Sequence, residues 1–136
     1  MSGEQSHSVV ESDRLPPSFG VWSPVVSTPP GRLVFISGMT ARNSDGEVVG
    51  EGDHEVQTRQ ICENLKAAVE AAGGTLANIA TVTAFVVDVS HFDTITRVRR
   101  EYFPTDPPAS TMVEVSRFID ARCLLEINAI AVIPES

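Results

Sequence analysis

The sequence has few of the residues that build metal, thiol-redox or membrane proteins. Its two cysteines, Cys62 and Cys123, fit neither a Cys-x-x-Cys motif nor a zinc-ligand spacing. The three histidines, His7, His54 and His91, show no metal-ligand spacing either. No apolar run reaches the roughly 18 residues that a membrane-spanning helix needs. We therefore expect no metal site and no membrane span, and we expect both cysteines to be buried as small apolar residues.

Positive charge is also scarce. Ten Lys and Arg residues stand against 18 Asp and Glu, which gives a formal net charge of −8. Such a balance repels phosphate backbones, and no basic stripe interleaved with aromatic residues is present, so nucleic-acid binding is disfavoured. The first ten residues, MSGEQSHSVV, contain no Lys or Arg and no apolar core. We therefore expect no secretory signal, and we expect a cytoplasmic protein.

The composition is that of one globular domain. The apolar share is 42% and the charged share is 21% of 136 residues, which is long enough for one core and too short for two. Residues 1–18 are polar and end near Pro16-Pro17. We expect them to form a flexible N-terminal segment, with the first ten residues as a loose tail, before a single domain over 19–136.

Residue patterns predict the element order β-β-α-β-α-β-β. Segments rich in β-branched or alternating residues predict strands at 22–27, 33–37, 79–87, 111–116 and 123–133. The first two strands are expected to form a hairpin across Pro29-Pro30-Gly31. Asp53 predicts the N-cap of a helix over 54–72, and Ser90 predicts the N-cap of a second helix that ends near 103.

This order favours an α+β fold of two layers, with two helices packed on one face of a mixed β-sheet. Strand alternation puts Met112 and Glu114 on one face of their strand, and Leu124, Glu126 and Asn128 on one face of the last strand. A chain of this size has no third helix to cover the partly apolar second face of the sheet. Self-association is the expected solution.

Four sets of residues, in order along the chain, resemble the Rid (YjgF/YER057c/UK114) family. They are Phe35-Ile36-Ser37-Gly38, Gln57-Thr58-Arg59 with Glu63-Asn64-Leu65, Val86-Val87-Asp88 with Phe92, and Pro108 to Val115 with Glu126 to Val132. The resemblance spans about 19–133 and implies a chorismate-mutase-like fold and a homotrimer with ligand clefts between subunits. It also implies the activity of RidA-type members, which hydrolyse enamines and imines such as 2-aminoacrylate to keto acids and ammonia without a cofactor.

The resemblance assigns one catalytic residue and shows one departure. Glu126 falls where the family has a glutamate associated with the attacking water, whereas Ser110 stands where the family has an arginine that holds the substrate carboxylate. A serine hydroxyl offers one neutral hydrogen bond in place of a bidentate ionic grip. Either the substrate has no carboxylate, another arginine replaces the missing one, or the activity is lost. The candidate replacements are Arg97, Arg99 and Arg100, although most helix arginines are solvated.

Further candidate binding residues come from the positions that line the family's cleft. Ser37 and Gly38 end a strand there, and a glycine lets a ligand approach the backbone, although a plain strand end would also explain the pair. Met112 follows Ser110 on the same strand, and Arg99 completes the substrate-binding set. Trp22 lies near the family's cleft aromatic, and core or interface packing is the competing interpretation.

These observations predict a cofactor-independent hydrolase of the enamine/imine deaminase type, with a substrate other than 2-aminoacrylate because Ser110 replaces the arginine. A non-catalytic module of the same fold, which binds a metabolite or a protein, remains the alternative, so the sequence leaves open whether the chain is an enzyme. Glu126 then has a structural role, paired with an arginine of a neighbouring subunit. An endoribonuclease, as some relatives have been described, is disfavoured by the acidic composition.

Overall fold

The computed structural model describes residues 7–135, which form a four-stranded mixed sheet with two helices on one face and a small two-stranded sheet beside it. In chain order the elements are β1 (Ser8–Val9), β2 (Val26–Ser27), β3 (Gly31–Met39), α1 (His54–Ala71), β4 (Ile79–Val86), α2 (Phe92–Tyr102), β5 (Ala109–Glu114) and β6 (Leu125–Pro134). The large sheet has the order β3-β6-β4-β5, in which only the β4–β5 pair is parallel. Within residues 7–135, no helix has the length and apolarity of a membrane span.

Local signals explain where α1 begins and ends. The Asp53 side chain accepts a hydrogen bond from the Val56 backbone N–H at 3.0 Å, as an N-cap residue should. After the last turn, Gly73 adopts a φ of +95°, a conformation that glycine reaches without strain and that stops the helix. The predicted helix over 54–72 is therefore confirmed to within one residue.

The predicted hairpin between 22–27 and 33–37 is wrong. Of the first predicted strand, only residues 26 and 27 form a strand, whereas the second lies within β3. The short strand β2 pairs antiparallel with β1 and not with β3. The preceding residues are held elsewhere, since the Ser23 backbone N–H donates to the Pro108 carbonyl at 3.1 Å. Where a loose tail was expected over the first ten residues, residues 8 and 9 form β1. Residues 1–6 lie outside the described part of the chain.

The start of the second helix also differs from the prediction. A short 3₁₀ turn (Val89–His91) precedes α2, and its N-cap is Asp88, which accepts a hydrogen bond from the Ser90 backbone N–H at 2.9 Å. Ser90 is therefore not the N-cap. The last two strands are confirmed, although β5 begins two residues earlier than predicted and β6 begins two residues later.

The core lies between the helices and one face of the sheet. Along β6 the odd-numbered residues, such as Leu125 and Ile127, are buried under the helices, while Glu126 and Asn128 lie on the opposite, open face, as the alternation predicts. On the same open face, the Phe35 side chain of β3 is 71% exposed. The predicted α+β architecture is confirmed, and no element of residues 7–135 covers the second face of the sheet.

Candidate functional site

The structure separates the predicted site residues into two groups on opposite faces of the sheet. Ser110 and Met112 lie opposite Val82 and Ala84 of β4, whose side chains are in the core, so they face the helices. Glu126 lies opposite Phe85 of β4 on the open face. Within one chain, the residue at the family's arginine position and the residue at its glutamate position therefore do not share a pocket.

The first group lines a pocket of about 390 Å³ between α2, β5 and the segment that precedes β2, here called the Arg99 pocket. Four predicted residues meet there: Trp22, Arg99, Ser110 and Met112. Aromatic rings complete the wall, because Phe19 packs edge-on against Trp22 with ring centroids 4.5 Å apart and lies 6.0 Å from the ring of Phe92. The pocket therefore combines an apolar wall with one charged group.

Arg99 is buried, with 4% of its surface exposed, so the expectation of a solvated helix face is wrong for this residue. Its Nη2 donates to the Ser110 hydroxyl at 3.0 Å and to the Val21 carbonyl at 3.3 Å. Burial lowers its pKa, yet an arginine remains charged at neutral pH. Arg97 and Arg100 are exposed, as that expectation required. Ser110, which stands at the family's arginine position, is therefore in contact with a guanidinium that comes from α2.

No carboxylate within residues 7–135 forms an ion pair with Arg99. Its neighbour Arg97, by contrast, pairs with Glu55 at 3.1 Å. A buried cation without a counter-charge is expensive unless hydrogen bonds or a ligand compensate it. Arg99 therefore presents to the pocket a positive charge that has two hydrogen-bond acceptors but no carboxylate partner among residues 7–135.

The second group lines a pocket of about 410 Å³ on the open side of the sheet, here called the Glu126 pocket. Gly38 and Glu126 are in contact there, and a Cβ atom added at Gly38 would lie 2.6 Å from the Glu126 carboxyl carbon. Glu126 is half-buried, and its carboxylate has neither a hydrogen bond nor an ion pair with any of residues 7–135. Ser37, the remaining predicted residue, precedes Gly38 in the irregular stretch of β3 between Ile36 and Met39.

Asp120, the second carboxylate that lines the Glu126 pocket, is paired with arginines, whereas Arg117 of the same lining forms no ion pair among residues 7–135. Asp120 accepts hydrogen bonds from Arg122 at 2.7 Å and from Arg42 at 3.3 Å. The Arg122 guanidinium, followed by its backbone N–H and more weakly by the charge on Arg42, holds the pKa of Asp120 well below its usual range. Asp120 is therefore a compensated anion, and Glu126 is the carboxylate of this pocket that remains available for a ligand or water.

Sequence reasoning missed the roles of Phe19 and Arg42. Phe19 was taken only as the start of the domain, although its three-residue separation from Trp22 could have indicated a shared aromatic cluster. Arg42 carried no recognisable signal, because its ion pair with Asp120 joins residues 78 positions apart. Both cysteines are buried, as expected, and burial raises the pKa of the Cys62 thiol to about 12. No group of three or more possible metal ligands occurs within residues 7–135.

Comparisons with known proteins agree with this geometry. The family model described as Endoribonuclease L-PSP matches residues 12–133. A RutC family protein of Pyrococcus horikoshii is 38% identical over 124 residues, which cover 90% of this chain and 95% of the relative.

Solved structures extend the likeness to the fold. The Rid family protein YyfB of Yersinia pestis, described as of unknown function, has a TM-score of 0.87 at 30% identity, over 94% of this chain and 99% of its own. RidA of the Antarctic bacterium Psychrobacter has a TM-score of 0.70 at 28% identity, over 93% and 99%. These matches confirm the chorismate-mutase-like fold, and the chain belongs to the Rid (YjgF/YER057c/UK114) family.

Proposed function

We propose that the protein is a cofactor-independent, cytoplasmic hydrolase of the deaminase type, which converts a small imine or enamine to a carbonyl compound and ammonia. The observation that carries this proposal is the Glu126 carboxylate, which is half-buried, lies against Gly38 and has no partner among residues 7–135. A carboxylate in that state can take a proton from a bound water without first breaking an ion pair. Membership of the Rid family supports a small-molecule reaction of this kind.

The proposed reaction needs only a water molecule and a proton carrier. Glu126 accepts a proton from water as the water oxygen bonds to the C=N carbon, and it passes this proton to the imine nitrogen, which gives a carbinolamine. Glu126 then accepts the hydroxyl proton of the carbinolamine as the C=O bond forms and the C–N bond breaks, and it delivers this proton to the nitrogen, which departs as ammonia. R₂C=NH and H₂O thus give R₂C=O and NH₃, with no change of oxidation state.

A homotrimer would bring the two pockets together. The open face of the sheet carries Glu126 and the exposed Phe35, and nothing in the described part of the chain, residues 7–135, covers it. When a second subunit covers this face, the Glu126 pocket of one subunit can adjoin the Arg99 pocket of the next. The proposed cleft then has a proton carrier on one side and a cation with an apolar wall on the other.

The test is the release of ammonia from imines that an amino-acid oxidase generates in situ, and from 2-aminoacrylate that a dehydratase generates. We expect the wild-type protein to accelerate hydrolysis and Glu126→Gln to lose a factor of roughly 100 to 10,000, the usual contribution of a general acid–base group. Glu114→Gln is the matched control, because Glu114 is exposed and only accepts a hydrogen bond from the Val89 N–H. No acceleration by the wild-type protein with any imine would refute the proposal.

A binding module without turnover is the second candidate, and the serine at position 110 favours it. The strand arginine that the family uses on substrate carboxylates is absent there, so the cleft could have kept binding and lost the reaction. Calorimetry with a metabolite panel, run beside the hydrolysis assay, separates the two functions. Binding without measurable turnover supports the module, and turnover excludes it.

A further inference from the structure

The rings of His54 and His91, here called the histidine stack, join the beginnings of the two helices. His54 is the first residue of α1, and His91 is the last residue of the 3₁₀ turn that precedes α2. Their ring centroids are 3.6 Å apart. Nε2 of His54 is buried and has no hydrogen-bond partner among residues 7–135. The stack is therefore a contact between helices that contains an unpaired, titratable nitrogen.

The turn that carries His91 also forms part of the wall of the Arg99 pocket. Val89, the first residue of the turn, lines that pocket, and so does Phe92, the first residue of α2. His91 lies between these two residues in the chain and stacks on His54. A change in the position of His91 relative to α1 is therefore transmitted directly to the pocket wall.

We propose that the histidine stack is a pH-sensitive switch of the Arg99 pocket, in which protonation of His54 separates the two rings and displaces Val89 and Phe92 from the pocket wall. The switch does not depend on the proposed hydrolysis, because it is a property of the protein without substrate. Mild acidification is therefore expected to open the pocket.

A proton on His54 is unfavourable while the rings are stacked. The imidazolium has an N–H donor at Nε2, and this donor would be buried without an acceptor from residues 7–135. The new positive charge would also lie against the ring of His91, which can itself become positively charged. Its position at the N-terminal end of α1 adds the unfavourable field of the helix dipole. Separation of the rings exposes Nε2 to water and relieves these costs.

The charged groups around the stack weaken this effect without removing it. They are four carboxylates and one guanidinium, namely Glu51, Asp53, Glu55, Asp88 and Arg97. Glu55 and Arg97 pair with each other at 3.1 Å. Asp53 and Asp88 each accept a backbone N–H at the start of a helical segment, and Glu51 is exposed, so solvent screens its charge. No carboxylate among residues 7–135 accepts a hydrogen bond from Nε2 of His54.

Other contacts between the helices keep their charges at mildly acidic pH, so the movement should be local. Arg59 pairs with Glu101 at 2.8 Å, and the Tyr102 hydroxyl donates to Glu63 at 2.6 Å. The Arg59 guanidinium lowers the pKa of Glu101, which keeps this ion pair intact on acidification. Protonation of His54 should therefore loosen the stack and the turn and leave the packing of α1 on α2 in place.

The first experiment is an NMR titration of the full wild-type chain from pH 7.5 to 5.5. The ring signals of His54 report its protonation, while the methyl signals of Val89 and the ring signals of Phe92 report the pocket wall. We expect all three residues to shift with a common midpoint, with an unchanged far-UV circular dichroism spectrum. Signals of Val89 and Phe92 that do not shift at the midpoint of His54 would overturn the proposal.

Trp22 gives an independent readout, since it is the only tryptophan of the sequence and lines the Arg99 pocket. Quenching of its fluorescence by acrylamide, a neutral molecule, should increase on acidification of the wild-type protein. His54→Phe keeps an aromatic ring for the stack and cannot be protonated, so quenching should no longer depend on pH. An equal increase in the two proteins would contradict a switch at His54.

Asp88→Asn distinguishes an electrostatic switch from a structural contact. Asparagine keeps an oxygen that can cap the turn, but it removes a negative charge that raises the pKa of His54. We expect the midpoints of His54 protonation and of pocket opening to move together to lower pH. Asp45→Asn is the matched control, since Asp45 is exposed and lines neither the Arg99 pocket nor the surroundings of the stack. An opening midpoint that stays unchanged in Asp88→Asn would exclude His54 as the controlling group.

The switch and the proposed function fail in different ways. If acidification opens the pocket through His54 but no imine is hydrolysed, the switch stands and the proposed reaction falls. If imines are hydrolysed while the signals of Val89 and Phe92 ignore the protonation of His54, the reaction stands and the switch falls.

Discussion

The positions of two site residues, Glu126 and Arg99, depend on small neighbouring residues. Glu126 can lie across β3 because residue 38 has no side chain, and Arg99 can approach β5 because residue 110 is a serine. The glutamate and the serine could be assigned from the sequence, since both fall within segments that resemble the family. The burial of Arg99 could not be predicted from the sequence, because an unpaired buried charge is costly and helix arginines are mostly solvated. It is shown only by the structure, in which Arg99 of α2 reaches Ser110 of β5 and the Val21 carbonyl.

Replacement of Gly38 by alanine tests whether the position of the Glu126 carboxylate matters. The added methyl group would overlap the carboxylate, which is the end of a flexible side chain and can swing away. We expect kcat/KM for imine hydrolysis to fall by roughly 100-fold, as displacements of about 1 Å can cause, with a melting temperature within a few degrees of wild type. Ser27→Ala, a change at an exposed residue of β2 outside both pockets, is the control and should keep wild-type activity. Full activity in Gly38→Ala would show that the carboxylate position is unimportant.

At the scale of the elements, prediction succeeded where local signals suffice. The helix over 54–72 and the strand that starts at 79 were correct within one residue, because Asp53, Gly73 and a β-branched run are sufficient signals. The hairpin failed because the pairing of a two-residue strand depends on distant contacts. His7 Nε2 donates a hydrogen bond to the Asp106 backbone carbonyl at 2.6 Å, and this contact across 99 positions helps to hold β1 in place. No local pattern could show it.

The N-terminal ends of α1 and α2 meet at two stacked histidines. The rings of His54 and His91 are 3.6 Å apart between centroids, with planes 8° from parallel. Burial lowers the pKa of His54, and the charge of His91 lowers it further, while Asp88 and Asp53 act in the opposite direction. His54 is also the first residue of α1, where the helix dipole disfavours a positive charge. The stack is therefore stable mainly with a neutral His54.

This arrangement predicts that stability falls on mild acidification. Because the pKa of His54 is lower in the folded than in the unfolded chain, the unfolded chain binds more protons as the pH falls below the usual histidine pKa of 6.5. Stability from this residue is complete above that pH and is lost as the pH falls to the folded pKa. Thermal unfolding between pH 7.5 and 5.5 should show a smaller loss of Tm in His54→Phe than in wild type. Equal slopes in the two proteins would exclude His54 as the cause.

At the scale of the whole molecule, the described residues cover the large sheet on one side only. Leu33 and Phe35 of β3 are 59% and 71% exposed, and Ile130 and Val132 lie opposite them on β6, so the open face is apolar over two neighbouring strands. Self-association could be predicted from the sequence because a chain of 136 residues with two helices cannot cover both faces. The sequence could not show that the site residues lie in two separate pockets, because the separation of Glu126 from Arg99 follows from the strand register.

Phe35→Glu tests whether assembly completes the site. Phe35 is mostly exposed in the single chain, so the change leaves the core between sheet and helices intact, but it places a charge in any interface formed by the open face. We expect sedimentation analysis to give a trimer for the wild-type protein and a monomer for Phe35→Glu. The variant should keep the wild-type circular dichroism spectrum and should not hydrolyse imines. Val56→Glu, the same kind of change at an exposed site on α1, should remain trimeric and active. A folded monomer with full activity would place all the chemistry in one chain and rule out the composite cleft.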